Sequence, residues 1–315
     1  MRVLVTGAAG FVGLHLVRAL ADEGHEVYAG ALEPPASTSG DAVAWRPLEM
    51  GSAASIAALL AEAQPEWVFH LAARSSVGES VADPLDAWDV NATGTLRLLG
   101  ALPPEARLVF ASSAQVYGLV PESEQPIRET CPLRPVNAYA ATKAAAEMPV
   151  LQATLAGRIR GVVARSFNSS GPGQDTRFAL PSFARQLALI RRGECEPVLR
   201  VGNLEARRDF LDVRDAVRAY LALAEGGVPG CVYNVCSGRA FSMRELLDVL
   251  VELSGTGARV EVDPARVRPV DVPLMAGDGS ALRALGWEPR IPMRQTLADL
   301  LEHEERAISA PAGAA

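Results

Sequence analysis

The chain has no C-x-x-C pair and no cluster of histidines. Its four cysteines, Cys131, Cys195, Cys231 and Cys236, are scattered, as are His15, His25, His70 and His303. That spacing excludes a zinc finger and a disulfide frame, and it reads as reduced thiols of a cytoplasmic protein. No apolar run reaches the roughly 20 residues that a membrane-spanning helix needs. Glycines at 7, 10 and 13 break the first apolar stretch too early for the core of a secretory leader. Positive charge is not in excess either. The 315 residues sum to −7, which argues against a broad nucleic-acid face and leaves room for a few arginines to hold a small anion. Repeats and low-complexity segments are also missing. The expectation is a soluble cytoplasmic protein with no metal, no membrane and no nucleic acid among its partners. Its hydrophobic share of 49% is enough for a sizeable core.

What is present begins with a short β-branched run at 2–6, suited to a buried parallel strand. Gly7-Ala-Ala-Gly10-Phe11-Val12-Gly13 follows, then an amphipathic stretch at 14–23 and a second strand at 26–30. Strand, glycine turn, helix and strand make a βαβ unit. Its glycines let the backbone approach a pyrophosphate, and the helix N-terminus offers free amides and a partial positive charge. The spacing, G-x-x-G-x-x-G, points to dinucleotide binding in this position. Both NAD and NADP stay open: Glu33 stands slightly late for a ribose hydroxyl, and no arginine stands there for a 2′-phosphate.

Further strands are predicted at 66–73, 107–113 and 161–166, with a helix over 91–99. This alternation is that of an α/β fold, a doubly wound parallel sheet. His70, at a strand end with no second histidine near it, reads as structural. From Phe167 the texture changes: 168–174 is turn-rich, 178–192 helical, 232–237 a strand and 243–253 a helix. Residues 255–286 read as irregular, ligand-facing loops. The expected division is a dinucleotide-binding domain at 1–166, with 208–237 returning to it, and a smaller lobe from 167–207 and 238–315.

The chemistry centres on Tyr139 and Lys143. They are four apart in an Ala-rich run that opens at Asn137, so on a helix they share a face. A free tyrosine has a pKa of about 10, too high for much acid–base work at neutral pH. A nearby ammonium stabilises the phenolate and lowers that value.

Together, GAAGFVG, the HLAA run at 70–73, Ser113 and Tyr139-x-x-x-Lys143 resemble the extended short-chain dehydrogenase/reductases that act on nucleotide sugars. The resemblance covers nearly the whole chain. It implies that Ser113, Tyr139 and Lys143 are catalytic. In that reading Ser113 holds the sugar oxygen, Tyr139 exchanges its proton, and Lys143 holds the nicotinamide ribose while depressing the tyrosine pKa. It also implies a cofactor surface of Gly7, Gly10, Phe11, Val12, Gly13, Glu49, Met50, Leu71, Ala72, Ala73, Asn91 and Ser112. The family's usual homodimer is implied as well, with an apolar face through Ala140, Ala144 and Met148.

The C-terminal half resembles the GDP-sugar branch: residues 201–213, 232–238, Arg268-Pro-Val-Asp271-Val-Pro, Gly277-Asp278 and Leu285-Gly-Trp287. In that branch arginines at the positions of Arg208 and Arg268 grip the diphosphate, a task suited to guanidinium forks. The substrate side would add Ser75, Ser76, Gln115, Asn168 and Asp271. Dehydratases of the branch carry a carboxylate just after the Ser/Thr, whereas this chain has Gln115, which exchanges no proton. Reductases of the branch have a histidine where this chain has Ser169. The resemblance therefore implies reduction of a GDP-linked 4-keto-6-deoxy sugar by NADH or NADPH. A C4 epimerase, a 4,6-dehydratase and a non-catalytic dinucleotide-binding module are the alternatives.

Overall fold

The computed structural model describes residues 1–34, 43–266 and 272–309. The opening unit is β1 (Arg2–Thr6), α1 (Phe11–Asp22) and β2 (Glu26–Ala31), extended by β3 (Val43–Pro47), α2 (Ala53–Ala63) and β4 (Trp67–His70). Two short helices, α3 (Val77–Ala82) and α4 (Pro84–Trp88), lead through a π turn at Asp89–Thr93 into α5 (Gly94–Ala101). Then come β5 (Arg107–Ser113), the long α6 (Ala138–Leu155) and β6 (Arg160–Ser166). The remainder begins with β7 (Asn168–Ser170), α7 (Ala179–Arg191), β8 (Val198–Val201), β9 (Arg207–Asp212) and α8 (Val213–Gly226). It continues through β10 (Val232–Val235), β11 (Ala240–Ser242), α9 (Met243–Ser254) and β12 (Arg259–Val262). It ends with β13 (Leu274–Met275), α10 (Ser280–Arg283) and α11 (Met293–Ser309).

Seven strands form one parallel sheet in the order β3-β2-β1-β4-β5-β6-β10, the doubly wound arrangement expected from the alternation. Side chains alternate between its faces, as a pleated strand requires. Val3 and Val5 pack with Leu16 and Leu20 of α1 and Tyr220 of α8. Leu4 packs on the other side with Ile56 of α2, Leu98 of α5 and Val150 of α6. Both faces are covered, so these strands read as continuous apolar runs. The order reverses between β1 and β4, and there the two strand ends leave the crevice in which this fold class binds ligands.

The smaller lobe has its own core, built from Leu187 of α7, Leu247 of α9, Leu300 of α11 and Leu199 of β8. Its sheet runs β11-β9-β13, with β7 also on β9, and β8 pairs with β12. No helix among the described residues is long and apolar enough to cross a membrane.

Several expectations need correction. The return to the large sheet starts at α8, not at 208, because Arg207–Asp212 hydrogen-bonds into the small sheet. The segment 255–286 is not irregular throughout: it holds β12, β13 and α10, whose strand pairing depends on distant partners. β3 and α2 carry no strong local signal and were not anticipated. Ala140, Ala144 and Met148 do not form one open face. Ala140 is buried, Ala144 packs beside Tyr117 and Phe167, and Met148 is exposed. Residues four apart advance about 40° around a helix, so two steps carry the row from interior to surface.

Candidate active site

Three elements bring the site together at the C-terminal ends of the parallel strands. The first is the β1–α1 turn. Gly7 has φ +68°, and a Cβ there would lie 2.7 Å from the Ala72 amide nitrogen. At Gly13 a Cβ would lie 2.3 Å from the Gly7 carbonyl oxygen. Glycine is thus enforced by the backbone itself at both positions. Gly10 caps α1 without a side-chain hydrogen bond, and no acid occupies the first helical turn. The first amides of Phe11, Val12 and Gly13 have no intrahelical acceptor, which suits them to an anionic group. These features fit a dinucleotide pyrophosphate.

The second element is the end of β4. His70 is fully buried, and its hydrogen bonds define its tautomer. Thr95 donates to the Asn91 carbonyl (2.6 Å), so its oxygen accepts from His70 Nε2 (2.9 Å). Thr6 accepts from the Ala72 amide (3.2 Å) and donates to His70 Nδ1 (2.7 Å). Burial holds this neutral imidazole down to about 3, with the Lys143 charge acting in the same direction. The Asn91 side chain accepts from the Arg74 amide (2.7 Å) and donates to Thr142 on α6 (2.9 Å). The π turn around Asn91 therefore ties Arg74, just past the Leu71–Ala73 run, to α6.

The third element is α6 against β5 and β6. Asn137 caps the helix by accepting from the Ala140 amide (2.8 Å) and donates to Gln115 Oε1 (3.1 Å). Tyr139, Lys143 and Glu147 follow at intervals of four on the face turned to the strands. Ser113 faces the Tyr139 hydroxyl and accepts from the Gln115 amide (3.2 Å). Burial pushes the Tyr139 hydroxyl up to about 12, while the Ser113 contact lowers it. The Lys143 ammonium, one turn along the helix, donates to the Ala111 carbonyl (2.8 Å). It also stands 5.0 Å from the centre of the Phe110 ring. Burial brings that ammonium down to about 8, and Glu147 works against the fall.

The adjacent serines divide their work. Ser112 is buried and donates to Glu147, whereas Ser113 faces Tyr139. Ser112 is thus held inside the packing and not on the cofactor surface where it was expected. Ser76 caps α3 by accepting from the Glu79 amide (3.3 Å), and Ser75 is exposed beside it. Glu49 is exposed and its amide donates to Ser55 (3.0 Å); Met50 is buried next to it. On the smaller lobe, Asn168 donates to the Asp209 carbonyl (3.1 Å), and Arg208 donates to the Arg207 carbonyl (2.9 Å). The buried Asp209 carboxylate anchors this strand by accepting from the amides of Ser237 (2.8 Å) and Gly238 (2.9 Å). Arg268 and Asp271 lie outside the described residues.

Sequence reasoning missed the partners beneath the site: Thr6, Thr95, Thr142, Glu147 and Arg165. Glu147 carried a signal, because it continues the Tyr139–Lys143 row by one more turn. Arg165 and the threonines join it only through the strand register.

The family model described as GDP-mannose 4,6 dehydratase matches residues 4–300. The chain belongs to that family. Within and around it, the chain is 36% identical over 311 residues to a GDP-6-deoxy-D-mannose reductase of Pseudomonas aeruginosa, covering 98% of each protein. It is also 36% identical to a UDP-glucose 4-epimerase of Azospirillum brasilense, over 92% of this chain and 87% of that protein. The solved structure of RMD from Pseudomonas aeruginosa complexed with NADPH superposes with a TM-score of 0.85 at 35% identity, covering 97% of this chain and 99% of that one. This member of the GDP-mannose 4,6 dehydratase family has the Rossmann-like sheet and glycine turn of an NAD(P)-dependent nucleotide-sugar enzyme.

Proposed function

We propose that this protein reduces the C4 ketone of a GDP-linked 4-keto-6-deoxy hexose, using NADPH or NADH. The carrying observation is the placement of Ser113 at the end of β5 beside the Tyr139–Lys143 face of α6, in the same parallel sheet whose β1 ends in a dinucleotide-type glycine turn. The likeness to the Pseudomonas aeruginosa reductase supports the substrate class.

The nicotinamide supplies the hydride that C4 receives. Ser113 holds the ketone oxygen by hydrogen bond, and Tyr139 gives that oxygen its proton, leaving the hydroxyl of the product. The tyrosinate left behind is stabilised by Lys143, whose pKa of about 8 keeps it charged at neutral pH. Tyr139 raised to about 12 is protonated at every physiological pH, which suits a proton donor. Phe11, Val12 and Gly13 amides would hold the pyrophosphate, with Ala72, Ala73, Asn91, Glu49 and Met50 along the rest of the cofactor. Gln115, Asn168 and Arg208 would meet the sugar nucleotide, together with Ser75, Ser76, Arg268 and Asp271. The 1–166 segment with α8 and β10 serves as the cofactor domain, and the rest as the substrate lobe.

Dehydration is disfavoured because Gln115 has no titrating group to act as acid or base and is anchored by Asn137. A C4 epimerase uses the same three residues, and the likeness to UDP-glucose 4-epimerases keeps that reading in play. The two differ in whether reduced cofactor is consumed. Purified protein should oxidise NADPH or NADH at 340 nm when given GDP-4-keto-6-deoxy-mannose, and Tyr139→Phe should lower that rate at least about a thousandfold. Cofactor left unconsumed while the sugar isomerises would identify the epimerase. The working form is a cytoplasmic homodimer joined through α4, α5 and α6.

A further inference from the structure

The catalytic reading gives no task to the buried charge of Glu147. Glu147 lies one turn beyond Lys143, and its side chain is wholly buried. Arg165, 5% exposed, clamps it with three hydrogen bonds of 3.0, 3.2 and 2.7 Å, and Ser112 donates to it as well. Arg165 is held in turn by the Tyr117 hydroxyl (3.1 Å) and the Glu129 carbonyl (3.0 Å), and its guanidinium stacks 4.9 Å from the Tyr117 ring centre. Tyr117 donates onward to Asn234 on β10 (2.6 Å). The pair thus fastens α6 to β5, β6 and β10 directly under the site.

Stability alone is a weak reason for this arrangement. A buried carboxylate–guanidinium pair is often matched or exceeded in stability by apolar side chains of similar volume. What apolar packing would not supply is a negative charge beside the buried Lys143. The groups acting on that lysine are Glu147 on its own helix, with Arg165 of β6 clamped to it, His70 from β4, and the Ala111 carbonyl and Phe110 ring from β5. His70 is neutral, so among these groups Glu147 carries the one negative charge. Lys143 is also the single lysine of the chain, against 29 arginines. Arginine fills the other cationic positions, while this one retains an amine whose pKa its surroundings can set.

We propose that Glu147 is a positioning residue for this site: its clamped carboxylate keeps the Lys143 ammonium charged and fixes Tyr139, Lys143 and Ser113 in one register. The proposal rests on the catalytic reading of those three residues. Glu147 touches neither substrate nor cofactor, and acts through Lys143 and Ser112.

Because the chain has one lysine, protein labelled with [13Cε]lysine gives one lysine resonance, and its pH titration reads Lys143 directly. The wild-type midpoint is expected near pH 8. Glu147→Gln keeps the shape and removes the charge, so the midpoint should fall by about one unit or more. The alkaline limb of kcat should move with it, giving about a tenfold loss relative to wild type at pH 9 and little change at pH 6. A folded Glu147→Gln protein with an unmoved Lys143 midpoint overturns the proposal, since a purely structural role lowers activity equally at all pH values. If that variant does not fold, Glu147→Asp decides. Its retained charge should hold the midpoint within about half a unit of wild type, and a fall of a full unit overturns the proposal. Turnover surviving in Tyr139→Phe would instead defeat the catalytic reading while leaving the titration result standing.

Discussion

His70 shows how one residue ties the chemistry of the site to stability. Its imidazole is held near 3, against an ordinary value of 6.5, by burial and by the Lys143 charge. Between those values the unfolded chain takes up a proton that the folded chain refuses. The stability is therefore present in full above pH 6.5 and is lost as pH falls toward 3. Two units of that window, from pH 6.5 to 4.5, correspond to about 2–3 kcal/mol. Urea unfolding of wild type and His70→Asn at pH 7 and 4.5 checks this: the acid loss should shrink by that amount in the variant. An equal loss in both proteins would mean that other groups govern acid sensitivity. The neutral Nε2–H tautomer also explains why histidine serves here. One nitrogen accepts from Thr6 while the other donates to Thr95, so a single ring joins β1, β4 and α5.

At the scale of elements, two helix N-termini organise the site in opposite ways. The start of α1 has no capping side chain and no acid, which leaves its amides to a ligand. Gly7→Ala would place a Cβ 2.7 Å from the Ala72 amide in a backbone conformation of φ +68°. That substitution should weaken NADPH binding at least about tenfold, read by titration of cofactor fluorescence, and unchanged affinity would remove this turn from the cofactor site. The start of α6 is capped by Asn137, which also fixes Gln115. Asn137→Ala should cost about 1 kcal/mol and lower Tm by about 2–4 °C in a thermal scan. A Tm unchanged by this variant would show that the cap contributes nothing to α6.

At the scale of the whole molecule, five of the exposed large apolar side chains lie on three neighbouring helices. They are Leu85 (81% exposed) and Trp88 of α4, Leu96 of α5, and Met148 and Leu155 (83%) of α6. α4 and α5 both pack on α6, the helix that bears Tyr139 and Lys143. The homodimer proposed above would use these helices as its contact face. Sedimentation velocity should give about twice the 33.3 kDa chain mass, and Leu96→Arg with Leu155→Arg should give the monomer. A wild-type protein that sediments as a monomer at micromolar concentration would rule out this face as a dimer contact.

Much of this was legible without coordinates, because local chemistry enforces it. The β-branched runs, the glycine turn and the Tyr139–Lys143 interval each depend on neighbours within a few residues, so the doubly wound fold class and the candidate site could be inferred from them. Other features were decided by tertiary structure alone. Arg207–Asp212 is a strand in either sheet by its composition, and pairing with Ala240–Ser242 assigns it to the smaller lobe. Ser112 and Ser113 are equivalent in sequence, and the pleat turns one to Glu147 and the other to Tyr139. Burial raises the tyrosine that a nearby lysine was expected to lower, since desolvation depends on everything packed around a group and not on its spacing along one helix. Spacing along the chain determined which side chains could meet; the register of β5 and β6 against α6 decided which of them do.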